Sequence, residues 1–150
     1  MSQTQEYGPG KPGYQPAPQD YEPGEITSVK LHRGVCFGAC PDYDVTFNSD
    51  GTATYAGGRF APRQGDYTGE VSQWDFDNLA AFVVRAGFFD WKDEYRLGNV
   101  TDLPEYSITV TKGGMSKTVL QYGMNEPPDF WVIAEVIDGI SDDIAWTSPQ

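Results

Sequence analysis

No valine, isoleucine, leucine, phenylalanine or tryptophan occurs before Ile26. A chain cannot offset its ordering entropy without such side chains to bury, so residues 1–24 are expected to form a tail and residues 25–150 a single domain. Five Pro, four Gly, four Gln and three Tyr make up 16 of the first 24 positions, a composition that favours polyproline II and turns. Extended at about 3.1 Å per residue, such a tail would reach on the order of 70 Å. Tyr7, Tyr14 and Tyr21 are spaced by seven, which keeps no single face of a polyproline helix. Tyrosine beside proline and glycine is nonetheless adhesive, with a rigid ring, a hydroxyl and little entropy to lose. The three are therefore candidate partner-binding residues, and a solvated linker is the plainer alternative.

From Glu25 onward the pattern is globular. Ile26 to Arg33 reads as a strand with Thr27, Val29 and Leu31 on one face. Asp42 to Phe47 alternates, with Tyr43, Val45 and Phe47 inward and Asp42, Asp44 and Thr46 outward. Asn48-Ser49-Asp50-Gly51 is a hairpin turn, Thr52 to Ala56 its returning strand, and Asp66 to Val71 a fourth strand. Ser72 caps a helix with Asp75 in the reciprocal position, and Phe76, Leu79, Ala80 and Val83 form its buried stripe up to Gly87. Tyr106 to Thr111 and Lys117 to Tyr122 flank Lys112-Gly113-Gly114 as a second hairpin. A last helix opens at Pro127-Pro128-Asp129 and buries Phe130, Ile133, Ala134, Ile137 and Ile140, with Gly139 near its end. The order ββββ-α-ββ-α predicts an α+β domain: a mainly antiparallel sheet with both helices packed on one face.

The compact chemical signal is His32-Arg33-Gly34-Val35-Cys36-Phe37-Gly38-Ala39-Cys40-Pro41-Asp42-Tyr43. Fully extended, two residues four apart have α-carbons separated by about 13 Å, whereas a disulfide tolerates about 7 Å at most. Cys36 and Cys40 can therefore bond only across a turn, for which Gly38 and Pro41 are suited. Three readings compete: a structural turn with a small disulfide or two semi-buried thiols, a redox pair, and a metal site. The redox motif is usually one residue shorter, and a zinc site would need a second half beyond His32 and the two thiolates. The structural turn is the favoured reading, and neither a metal nor a cofactor is expected.

Arg33, Cys36-Phe37-Gly38, Cys40-Pro41 and Tyr43, followed by Asp50-Gly51, Tyr55 and Gly57, resemble a bacterial family catalogued as a domain of unknown function. The likeness continues through Gly65, Phe76–Leu79, Phe88-Phe89, Tyr95, Asp102–Pro104 and Ile137-Asp138, covering roughly residues 26–146. The resemblance implies no activity, substrate or catalytic residue. Many members follow an export or lipoprotein signal, which would suit a disulfide. Here a Pro/Gly/Tyr tail stands in that place, so a cytoplasmic protein is the default expectation and an exported one the alternative.

The net charge of −12, of which −10 falls on residues 25–150, argues against a nucleic-acid ligand and against an anionic membrane surface. No apolar run approaches the roughly 18–20 residues that span a bilayer, so membrane insertion is not expected. A calcium loop starting at Thr46 would need a glutamate where Gly57 stands. Asp42 and Asp44 on one strand face read as a solvated pair, and a Ser-His-Asp site is hard to build around the single histidine, His32. The chain therefore reads as a non-enzyme. Trp91 and Tyr95 among acids, Trp131 off the stripe of the last helix, and Trp146 after Asp142 and Asp143 are further candidate partner-binding residues; otherwise they cover the ends of the core. The expectation is a non-catalytic accessory component docked to a larger protein assembly through its tail. The alternatives are a thiol-redox protein using Cys36 and Cys40, and an acidic mimic of nucleic acid.

Overall fold

The computed structural model describes residues 25–36, 38–98 and 103–148. The strands are β1 (Ile26–Arg33), β2 (Tyr43–Asn48), β3 (Thr52–Gly57), β4 (Gly65–Glu70), β5 (Glu94–Arg96), β6 (Glu105–Lys112) and β7 (Met115–Tyr122). The helices are α1 (Gln73–Arg85) and α2 (Pro128–Asp142), with a 3₁₀ turn at Phe88–Asp90. One sheet holds all seven strands in the order β4-β3-β2-β1-β6-β7-β5, antiparallel except for β5 beside β7.

Cross-strand partners show why one face is buried. Val29 lies opposite Phe47 and Val110, Leu31 opposite Val45 and Ile108, and Val45 opposite Tyr55. All of these side chains are buried, whereas the opposite face carries Lys30, Thr46, Thr54, Thr109 and Thr118 toward solvent. Phe76, Leu79 and Val83 of α1 and Phe130, Ile133 and Ile137 of α2 complete the single core. Each large side chain so buried contributes about 1.5–3 kcal/mol.

The two helices cross the strands in opposite directions. Val71, just before α1, donates its N–H to Gly51 beside the β2–β3 turn, and beyond α1 Lys117 of β7 donates to the Trp91 carbonyl. Returning, α2 places Trp131 against Tyr106 of β6, then Asp138 against β1 and β2, and its continuation sets Trp146 on Tyr55 of β3. Thr147 finally exchanges both backbone hydrogen bonds with Thr68, covering the outer edge of β4. An otherwise open strand edge invites pairing with other chains, so this short clasp has protective value.

Local signals act as their chemistry dictates. Ser72 accepts the N–H of Asp75 at the α1 N-cap, and Gly51 supplies the φ of 94° in the first hairpin. Three expectations need correction. Thr27 is exposed and Ile26 is buried in its place, because a bulge between Ile26 and Ser28 shifts the register against β6. Ile140 is only partly buried and Ser141 takes the inward position, where its carbonyl accepts the Trp146 indole N–H. Asp42 precedes β2 and does not start it.

Candidate functional site

At the loop end of the sheet, Tyr43, Arg33 and Tyr106 stand side by side on the core face of β2, β1 and β6. The Arg33 guanidinium lies 5.8 Å from the Tyr43 ring centroid and 4.8 Å from that of Tyr106, within cation–π range of both. From α2, Asp138 reaches in: one carboxylate oxygen pairs with the guanidinium and the other accepts the Tyr43 hydroxyl at 2.7 Å. Burial opposes the guanidinium charge, but the attraction of Asp138, its hydrogen bond and smaller contributions from Tyr43 and Tyr106 together outweigh it and hold Arg33 above its ordinary pKa. Burial, with the hydrogen bond to Asp138, keeps the Tyr43 hydroxyl protonated far above the usual tyrosine range. Tyr55, stacked on Tyr43 at 5.5 Å, is also raised by burial. These groups form a latch fastening α2 to the middle strands.

The latch anchors two loops. Cys36 and Cys40 are bonded, their α-carbons 5.7 Å apart, in the loop leaving Arg33 and returning at Tyr43. The second loop leaves β3 at Gly57 and returns at Gly65. A Cβ on Gly57 would lie 1.8 Å from the Arg63 carbonyl oxygen, so only glycine lets this loop fold back so tightly. Backbone bonds from Asp42 to Arg59 and from Gly58 to Asp42 tie the loops together. Phe60, at the tip of the second, is 49% exposed and has φ 61°, a left-handed conformation unusual for a bulky residue. Val35 on the first loop is 56% exposed. A cavity of about 190 Å³ between latch and loop is lined by Tyr43, Tyr55, Pro62, Arg63 and Asp138.

Because the ring closed by the disulfide is so short, Cys36→Ser with Cys40→Ser should lower stability by only about 2 kcal/mol. Chemical denaturation of the double variant would measure it. A loss large enough to unfold the domain would mean that the bridge, and not the latch, carries this end of the fold.

The opposite face of the sheet brings together a row the sequence did not suggest. Asp44, His32 and Ser107 are cross-strand neighbours on β2, β1 and β6. His32 Nδ1 lies 2.5 Å from Asp44 Oδ1, and Lys30 Nζ lies 3.6 Å from the other oxygen. Nε2, however, leans over Gly34, 3.2 Å from where a Cβ would stand. Among the described residues no hydrogen bond joins Ser107 to that nitrogen, so base and nucleophile are not coupled as an acyl-transfer site requires.

The other sequence candidates are dispersed. Tyr7, Tyr14 and Tyr21 lie outside the described residues. Trp91 packs on Phe88 at 5.4 Å, and Tyr95 sits in β5, which no alternation announced, its hydroxyl accepting the Lys92 N–H. Trp131 packs on Tyr106 and Phe130, and Trp146 on Tyr55. All four rest against the core. Trp74 is instead the exposed tryptophan, at 77%. Its position, 200° from Phe76 on a helical wheel of about 100° per residue, was the available signal. Among the described residues no group of three or more His, Cys, Asp or Glu gathers as a metal site, and no helix is long and apolar enough to cross a membrane.

Comparison with known proteins bears out the resemblance to a domain of unknown function. No curated protein matches the chain. A family profile described as a domain of unknown function, DUF6438, matches residues 27–141, from β1 to the end of α2, taking in the latch and both loops. On that match, the chain belongs to the DUF6438 family.

Proposed function

We propose that this is a non-catalytic interaction module, an accessory component joined to a larger protein assembly through residues 1–24 and presenting the loop end of its sheet to a protein partner. The observation that carries this reading is Phe60. A left-handed bulky residue costs on the order of 1–3 kcal/mol, and with about half of Phe60 left in solvent its burial offsets little of that. Strain of that kind persists where the exposed side chain has a use outside the fold. Val35 on the adjoining loop supplies a second apolar contact, and the latch beneath restricts movement, so little entropy is lost on binding.

The test compares partner capture from host lysate by the full chain, by residues 25–150 and by Phe60→Gly. The truncation should lose its partner while its melting temperature stays unchanged. Phe60→Gly should become more stable by about 1 kcal/mol as the strain is relieved, and its capture should weaken. Unaltered capture by both variants would overturn the proposal.

The thiol-redox alternative also has a specific observation behind it, the bonded Cys36–Cys40 pair with both residues partly exposed. It predicts that Cys36→Ser abolishes activity while the fold survives. An unchanged phenotype would dismiss it.

A further inference from the structure

The outward face of α2 departs from what a solvated helix requires. Val132 is 45% and Val136 37% exposed, and Gly139 follows in line on the same exposed side. Glycine in a helix interior is the poorest choice short of proline. Here the fold does not call for it: a Cβ on Gly139 would meet nothing within 4 Å. The charges are equally one-sided. Asp129, Glu135, Asp138 and Asp142 lie on the helix and Asp143 caps it, with no basic residue. Asp138 is consumed by the latch. Asp142 and Asp143 stand at the C-terminal end, where the helix dipole disfavours negative charge. An exposed apolar ridge, a glycine without an internal purpose and carboxylates set against the dipole are three separate departures from local preference, and departures of that kind concentrate at functional surfaces.

We infer that the outer face of α2 docks a basic amphipathic helix of a partner protein, whose small or apolar side chains pack along Val132 and Val136 and cross close over Gly139, one turn beyond Val136, while its Lys or Arg residues meet Glu135, Asp142 and Asp143. Charge complementarity selects this occupant. A second copy of the chain, packed α2 on α2, would set carboxylates against carboxylates with no cation on either helix. A glycine at the crossing allows helix axes to approach within the roughly 8–10 Å of ordinary packing, or closer, and a larger residue would hold them apart. The inference uses neither Phe60 nor Val35, so its test is independent of the proposal above, although Asp142 also lines the cavity beside the loop that carries Phe60.

The experiment titrates the full chain, isotopically labelled for amide NMR, with two synthetic helical peptides. Both carry one Leu/Ala stripe; one is flanked by lysines and the other by glutamates. The lysine peptide should shift amides around Val132, Val136 and Gly139, and the glutamate peptide should not. Gly139→Leu should melt at or above the wild-type temperature, since glycine is lost from a helix into open space. It should also weaken the lysine peptide by at least about tenfold, because the crossing can no longer close. Val132→Glu serves as a second variant with the same expected loss. The inference is overturned if the lysine peptide binds Gly139→Leu and Val132→Glu as well as wild type, or shifts amides elsewhere, since that is diffuse attraction to a chain of net charge −12. It is equally overturned if neither peptide binds, or if the chain self-associates through α2 in sedimentation and Val132→Glu abolishes that.

Discussion

Replacing Asp138 by alanine is expected to destabilise the domain by about 3 kcal/mol, the cost of stranding a largely buried guanidinium together with a tyrosine hydroxyl. The side chains of Arg33 and Asp138 are 17% and 23% exposed, so some solvent reaches both and the loss falls toward the lower part of the range for a fully buried pair. The sign follows from asymmetry: the intact pair adds modestly to stability, whereas one partner without the other is an uncompensated charge. Replacing both ends with apolar residues of similar size, Arg33→Met with Asp138→Leu, should therefore recover much of the loss. Urea midpoints of the two singles and the double would form the cycle. If Asp138→Ala costs less than about 1 kcal/mol, a typical surface-pair value, the latch does not hold the loop end together.

The second large effect is alkaline unfolding. Tyr43 and Tyr55 both titrate above the ordinary tyrosine value in the folded chain, through burial in each case and for Tyr43 also through its bond to Asp138. Their stabilising contribution is complete below the unfolded-state pKa of about 10 and is lost as pH climbs from there toward the folded values. Each tyrosine kept neutral by the fold should subtract about 1.4 kcal/mol per pH unit in that window. Stability should be flat with respect to these groups through neutral pH, then fall steeply above about pH 10. Tyr43→Phe should begin less stable by about 1–2 kcal/mol, for the lost bond to a carboxylate, and then fall with a shallower slope. A Tyr43→Phe slope equal to wild type would show that Tyr43 does not govern the transition.

Much of the fold was legible because its determinants are local. The alternation of Tyr43, Val45 and Phe47, the Asp50-Gly51 turn and the Ser72 cap each specify their own stretch of backbone, and the structure follows them. β5 was invisible for the opposite reason: Glu94, Tyr95 and Arg96 become a strand only because β7 offers Leu120 to Tyr122 as partners. Thr27 misled because a bulge adds one residue to a strand whose own pattern cannot reveal it. The candidate site divides the same way. The motif from Arg33 to Tyr43 was conspicuous, but its meaning rests on Asp138, 105 residues from Arg33, and no periodicity links them. Phe60 could have been noticed as an aromatic among Gly57, Gly58 and Pro62, although its left-handed backbone could not. The tryptophans were visible, but which of them faces solvent depended on helix phase and on where the C-terminal segment lies.

The position of β1 in the sheet bears on what the domain can withstand. The chain enters the fold through this strand, which lies between β2 and β6 and is hydrogen-bonded along both sides. Tension arriving through residues 1–24 is therefore delivered to the most heavily tied strand and not to a peelable edge. Freeing it means rupturing two ladders and, at its far end, the grip of Asp138 on Arg33. The C-terminal segment is built the other way, with Thr147 held to Thr68 by a single bridge. Mechanically the molecule is asymmetric: pulled from its C-terminus it frays, and pulled from its N-terminus it holds until the sheet itself gives way.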